Sequence, residues 1–79
     1  MSEPTTTTLD TLQIGQSATV RRVGGDGAVR RRLMDMGLVN GVQIEMIRPA
    51  PLGDPVAYKV RGYRLSLRKS EAHLIEVEV

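Results

Sequence analysis

Only one segment of this 79-residue chain carries apolar residues at helical spacing, the run from Asp26 to Leu38. The segments around it either alternate with period two or are broken by glycine and proline. One short helix among short strands leaves few folds open. Asp26 is the expected N-cap, because its carboxylate can accept the free amides of a first turn. Val29, Leu33 and Met36 fall at i, i+4 and i+7 and share one face. Gly37 supplies the left-handed residue that ends the helix, and Leu38 can fold back onto Leu33. A helix of about ten residues is marginal alone, so burial of Leu33 and Met36 must hold it.

The charges on this helix run against its stability. Arg30, Arg31 and Arg32 crowd the first half and Asp35 sits in the last turn, the reverse of what the macrodipole favours. Arg31 and Asp35 can pair at i, i+4, in the weaker orientation. Helix stability therefore explains the arginines poorly. They are either a solvated face or a patch turned toward a partner.

Around the helix the pattern is β. Residues 1–8, Met-Ser-Glu-Pro and four threonines, lack apolar periodicity and read as a disordered N-terminal tail ahead of one domain at 9–79. Leu9, Leu12 and Ile14 suggest a helical turn before a first strand at Ser17–Val23. Gly24–Gly27 precedes the helix, but neither a P-loop Lys-Ser/Thr nor G-x-G-x-x-G follows, so it reads as a plain connection. Val42, Ile44 and Met46 alternate with polar residues after an Asn40-Gly41 turn. Pro49, Pro51, Gly53 and Pro55 make Arg48–Asp54 an irregular loop.

Val56–Arg61 and Tyr63–Lys69 read as a hairpin. A Gly62-Tyr63 loop sets Val60 opposite Leu65, and an Arg61-Gly62 loop shifts the register by two on the same apolar face. Lys59, Arg61, Arg64 and Arg68 share the wet face. Ser70–His73 suggests a helical turn, and Ile75, Val77 and Val79 a closing strand. The fold expected is mostly β: a small SH3-like barrel of about five strands, with one short helix inserted between the first and second. Closure removes the exposed edges that a small sheet would otherwise offer.

Composition narrows the function. The chain has no cysteine, so neither disulfides nor thiolate–zinc sites staple it, and a reducing compartment suits it. No apolar run reaches membrane-span length and no signal-peptide pattern opens it, which points to a cytoplasmic protein without membrane insertion. The net charge of +2 hides an uneven distribution. Residues 21–32 hold five arginines against Asp26, residues 59–69 hold five basic groups and no acid, and the last stretch answers with Glu71, Glu76 and Glu78. A single histidine, His73, and no nucleophile–base spacing argue against an enzyme. His73 near Glu71 has too few companions to ligate a metal, and no cofactor is expected. Asp54, between Gly53 and Pro55, is most simply a turn-former bonding its own backbone.

These residues also resemble the FeoA family, small cytoplasmic proteins of bacterial ferrous-iron transport. The resemblance runs from Leu9 to Val79. It rests on Leu12-Gln13-Ile14-Gly15-Gln16, on Arg32-Leu33-Met34-Asp35-Met36-Gly37-Leu38 followed by Gly41, on Ala50-Pro51-Leu52-Gly53-Asp54-Pro55, and on Leu65-Ser66-Leu67-Arg68-Lys69 with Glu71-Ala72. Asn40 stands where the family commonly has proline. The resemblance implies an SH3-like barrel and an accessory role beside FeoB, a membrane transporter whose cytoplasmic part carries a GTPase domain. The same fold closes metal-dependent repressors at their C-terminus.

The leading expectation is a protein-binding module for the cytoplasmic domain of an FeoB-type transporter. Arg30, Arg31 and Arg32, with Leu52, Gly53, Asp54 and Pro55, are the candidate contacts. A nucleic-acid-binding barrel using Lys59, Arg61, Arg64 and Arg68 is the alternative, and the two tyrosines offer it a poor stacking platform. A third reading is self-association through apolar surface near Val39 and Leu52.

Overall fold

The alternating segments assemble into one antiparallel sheet in a computed structural model that describes residues 5–79. Its strands are β1 (Thr6–Thr8), β2 (Ser17–Val23), β3 (Gln43–Pro49), β4 (Val56–Val60), β5 (Tyr63–Leu67) and β6 (Ile75–Glu78), in the order β1-β6-β2-β3-β4-β5. A 3-10 turn at Leu9–Thr11 links β1 to β2, helix α1 (Gly27–Asp35) links β2 to β3, and the short α2 (Lys69–Ala72) links β5 to β6. Two register shifts, between Val20 and Arg22 and between Met46 and Arg48, bend the sheet around its buried face. That face carries Val20, Ile44, Tyr58, Val60, Leu67, Ile75 and Val77, and Leu33, Leu38 and Leu9 close over it. Burial pushes the Tyr58 phenol up to about 12, so it stays neutral inside the core.

The tail expected at residues 1–8 is corrected in part. Thr6–Thr8 is a strand that pairs antiparallel with β6, Thr6 opposite Glu78 and Thr8 opposite Glu76; residues 1–4 lie outside the described residues. Threonine favours extended backbone, but its ladder comes from a strand some seventy positions away, which local periodicity cannot reveal. The hairpin takes the second of its two registers, with Val60 opposite Tyr63 and Tyr58 opposite Leu65. Arg61 at φ 50° and Gly62 at φ 84° form the two left-handed turn positions that match the twist of the flanking strands.

Helix α1 begins and ends as its sequence requires. Asp26 Oδ1 accepts the Val29 amide at 3.0 Å. At the other end the Leu38 amide reaches Leu33 O and the Gly37 amide reaches Met34 O, with Leu33 and Leu38 both fully buried. Gly37 has φ +99°, and the Tyr63 hydroxyl, which donates to Met36 O, lies 2.6 Å from where a Cβ would stand. The helix end is thereby held against the hairpin. Gly37→Ala should cost about 1–2 kcal/mol for the left-handed backbone alone, and more for the displaced tyrosine. Tyr63→Phe should cost about 1 kcal/mol. Urea unfolding of the double variant should show a loss smaller than the sum of the singles, because removing the hydroxyl also makes room for the methyl.

Candidate functional site

Three of the five arginines between residues 21 and 32 are answered by the last three glutamates. Arg21 pairs with Glu78 at 2.7 Å, Arg22 with Glu76 at 3.4 Å, and Arg32 with Glu71. The β2 bulge exposes Arg21 and Arg22 together, and the β2–β6 register lays the two glutamates beside them. Arg30 turns back and donates from Nε to Val23 O at 3.1 Å. The three arginines of the helix therefore do not act as one set. Arg30 and Arg32 fasten α1 to β2 and α2, while Arg31 is exposed and joins no ion pair among the described residues. The expected Arg31–Asp35 pair does not form among them either.

Two carboxylates secure the start of α2, whose first amides lack partners within the helix. Glu71 accepts the Arg68 amide at 2.9 Å, and Asp54 Oδ1 accepts the Lys69 amide at 3.0 Å. Asp54 thus bonds a distant element rather than its own turn, which corrects the expectation for it. The Arg68 amide, with the Arg32 guanidinium adding to it, holds the Glu71 carboxyl below the usual range. The loop before β4 is a closed turn: the Gly53 amide reaches Ala50 O at 2.7 Å and the Ala50 amide reaches Pro55 O at 2.8 Å. Leu52 stands at its apex, 97% exposed. The Asp54–Pro55 peptide is cis.

These pieces border one groove. An open hollow of about 670 Å³ lies between α1 and β5, with Val29 and Arg32 on one wall and Ser66, Arg68 and Pro55 on the other. Leu74, half-buried, lines it too. A second hollow of about 400 Å³ shares Pro55 and Ser66 and runs beneath the proline loop to Arg48 and Ala57. The helix arginines and the 52–55 loop, separate in sequence, meet at this groove through Arg32 and Pro55. Arg31 faces a shallower hollow on the outer side of α1, shared with Arg32 and Asp35.

The second basic stretch keeps its charge. Lys59 and Arg64 are paired positions on the exposed face of β4 and β5. Among the described residues Arg48, Lys59, Arg61, Arg64, Arg68 and Lys69 enter no ion pair. Val39, expected near an exposed apolar patch, instead packs against the core. His73 Nδ1 meets Asp10 Oδ2 at 3.2 Å, tying α2 to the 3-10 turn. Burial, which would raise the Asp10 carboxyl, is outweighed by bonds from the Thr8 hydroxyl and His73, so it sits below its ordinary value. Among the described residues no group of three or more histidine, cysteine or acidic side chains could hold a metal ion, and no helix is long and apolar enough to cross a membrane.

A curled antiparallel sheet closed by one capped helix, with an open groove beside its last hairpin, defines a small SH3-like β domain. The FeoA domain model matches residues 7–79, and the chain belongs to the FeoA domain family. It is 44% identical over 71 residues to the Fe(2+) transport protein A/Fe(2+) transporter FeoB fusion protein of Porphyromonas gingivalis, which covers 90% of this chain and 8% of that relative. The chain therefore spans less than a tenth of that fusion protein. The NMR structure of an FeoA-like protein from Clostridium acetobutylicum matches with a TM-score of 0.85 at 44% identity, covering 100% of this chain and 90% of the other. The crystal structure of Stenotrophomonas maltophilia FeoA complexed with zinc, described as a prokaryotic SH3 domain protein, matches with a TM-score of 0.78 at 35% identity, over 89% and 87%.

Glu71 gives a pH signature. Its folded carboxyl lies below the ordinary value of 4.5, so its contribution is fully present above that value and is lost as pH falls through the folded one. Glu71→Gln should lower stability at neutral pH by about 1 kcal/mol, the exposed Arg32 partner keeping the figure small. Thermal melts should show the gap between variant and parent closing as the pH drops below the carboxylate range.

Proposed function

We propose that this domain is an accessory module of ferrous iron uptake that docks on the cytoplasmic, GTPase-containing part of an FeoB-type transporter. The observation that carries this reading is the fusion of the two proteins in the Porphyromonas gingivalis relative. Covalent linkage raises the effective concentration of one module at the other, which is of use to partners that bind each other. The groove between α1 and β5 supports it from the structural side. Arg31 on the outer side of α1 and Leu52 at the apex of the proline loop are both exposed and hold nothing in place. Asp54 and Pro55 shape the loop that presents Leu52, and Gly53 supplies its left-handed turn at φ 91°.

Reversing all three helix arginines would confuse folding with binding, since Arg30 and Arg32 hold α1 in place. Arg31→Glu combined with Leu52→Asp separates the two. The double variant should melt within a few degrees of the parent and bind the isolated cytoplasmic domain at least roughly tenfold more weakly by calorimetry, the loss expected when one or two anchoring contacts go. Unchanged affinity would move the contact elsewhere on the domain. Failure of the parent domain to bind at all would remove the docking reading.

A further inference from the structure

We propose that the outer edge of β5 is a strand-addition site, taking an extended partner segment in which acidic and apolar residues alternate. This rests on the groove beside β5 being the docking surface. β5 is the last strand of the sheet and pairs only with β4. Val60 and Tyr63 flank a two-residue turn and so exchange both of their backbone bonds. Alternation along the ladder then turns the amides and carbonyls of Arg64 and Ser66 away from β4. Among the described residues no other backbone or side-chain group bonds to them. Four polar backbone groups therefore stand unpaired in a row along the outer edge of β5, those of Ser66 beside the groove, spaced as a strand would meet them.

What flanks that row selects the occupant. On the outer face stand Arg64 and Arg68, with Lys59 opposite Arg64, and none of the three is in an ion pair among the described residues. On the inner side the groove is lined by Val29 and Leu74, both only half-buried, beside the Arg32–Glu71 pair, in which the two charges offset each other. A strand laid along β5 directs alternate side chains to these two sides. Acidic residues would then meet the arginines while small apolar residues settle against Val29 and Leu74. Backbone pairing supplies affinity and the alternate side chains supply selection. The same arginines oppose a second copy of this basic edge.

The test uses the whole domain labelled with nitrogen-15 and a blocked peptide of about eight residues alternating glutamate and valine, with its lysine–valine counterpart as control. The expected result is saturable shifts at Arg64 to Arg68 and along the Val29 side of α1, slowed hydrogen exchange at the Arg64 and Ser66 amides, and no response to the lysine peptide. Ser66→Pro removes an amide that the β4 ladder does not use, at an edge position that tolerates proline. It should keep the native spectrum and bind roughly tenfold more weakly, the loss of about one hydrogen bond. Arg64→Glu should likewise weaken the acidic peptide and, as an independent check on folding, admit the lysine peptide. Absence of shifts at the β5 edge, or unprotected Arg64 and Ser66 amides in a saturated complex, would overturn the proposal. So would stronger perturbation of the same residues by a single-stranded oligonucleotide, or self-association through β5. If the peptide binds as described while the transporter domain does not, the transporter reading fails and this one stands. If the transporter domain binds but neither amide is protected and the peptide does not bind, the reverse holds.

Discussion

The insertion of β6 between β1 and β2 is the contact on which most of the structure depends. Four residues from the end of the chain pair on one side with Thr6–Thr8 and on the other with Thr19–Val23. Ile75 and Val77 are fully buried there, so the insertion completes the core as well as the ladder. It also brings α2 with it: the Leu74 carbonyl takes the Gly24 amide at 2.7 Å, which fixes the loop from which α1 starts. Without β6, α1 would keep its caps and lose its position. Contacts of such sequence separation form late and cost loop entropy, so the short helix and hairpin are the local structure available before them.

The same insertion resolves the electrostatic oddity of α1. Arg30, Arg31 and Arg32 sit in the middle of α1 rather than at its start, with Arg32 in the last turn where the macrodipole favours a cation, and among the described residues no acidic group of the helix pairs with them. The compensation is tertiary. Arg32 finds Glu71 on α2, and Arg30 gives its Nε–H to a β2 carbonyl beyond the helix. A surface ion pair is worth about 0–1 kcal/mol, so these contacts set the orientation of α1 more than its stability. That leaves Arg31 as the helix arginine with nothing to hold.

How much of this the sequence displayed depends on range. The α1 caps, the Leu33–Leu38 closure and the alternation of β2, β3 and β6 all involve residues within about six positions of each other, and they appear in the structure as read except at Val79, which lies beyond β6 and is exposed. The hairpin was legible up to its register, which the left-handed pair Arg61 and Gly62 decided. β1 was illegible because its threonines carry no apolar period and its partner is the far end of the chain. Asp54 looked like a local turn residue because its true acceptor role, toward Lys69, spans fifteen positions. The candidate site shares this limit. Its members were visible as two separate groups, and only folding shows that Arg32 and Pro55 border one groove while Arg30 belongs to the scaffold.

The pairing of Arg21, Arg22 and Arg32 with the C-terminal glutamates has a kinetic consequence. It leaves the β2–β6 side near neutrality and the positive charge gathered on β4 and β5, so the domain carries a lopsided field. In physiological salt such a field reaches about 8 Å from the surface, far enough to turn a small body during an encounter. An acidic surface would be met hairpin first, before any contact forms. Added salt should then slow arrival more than it hastens departure. The two glutamates of β6, remote from the groove, would in this way help decide which side of the molecule leads.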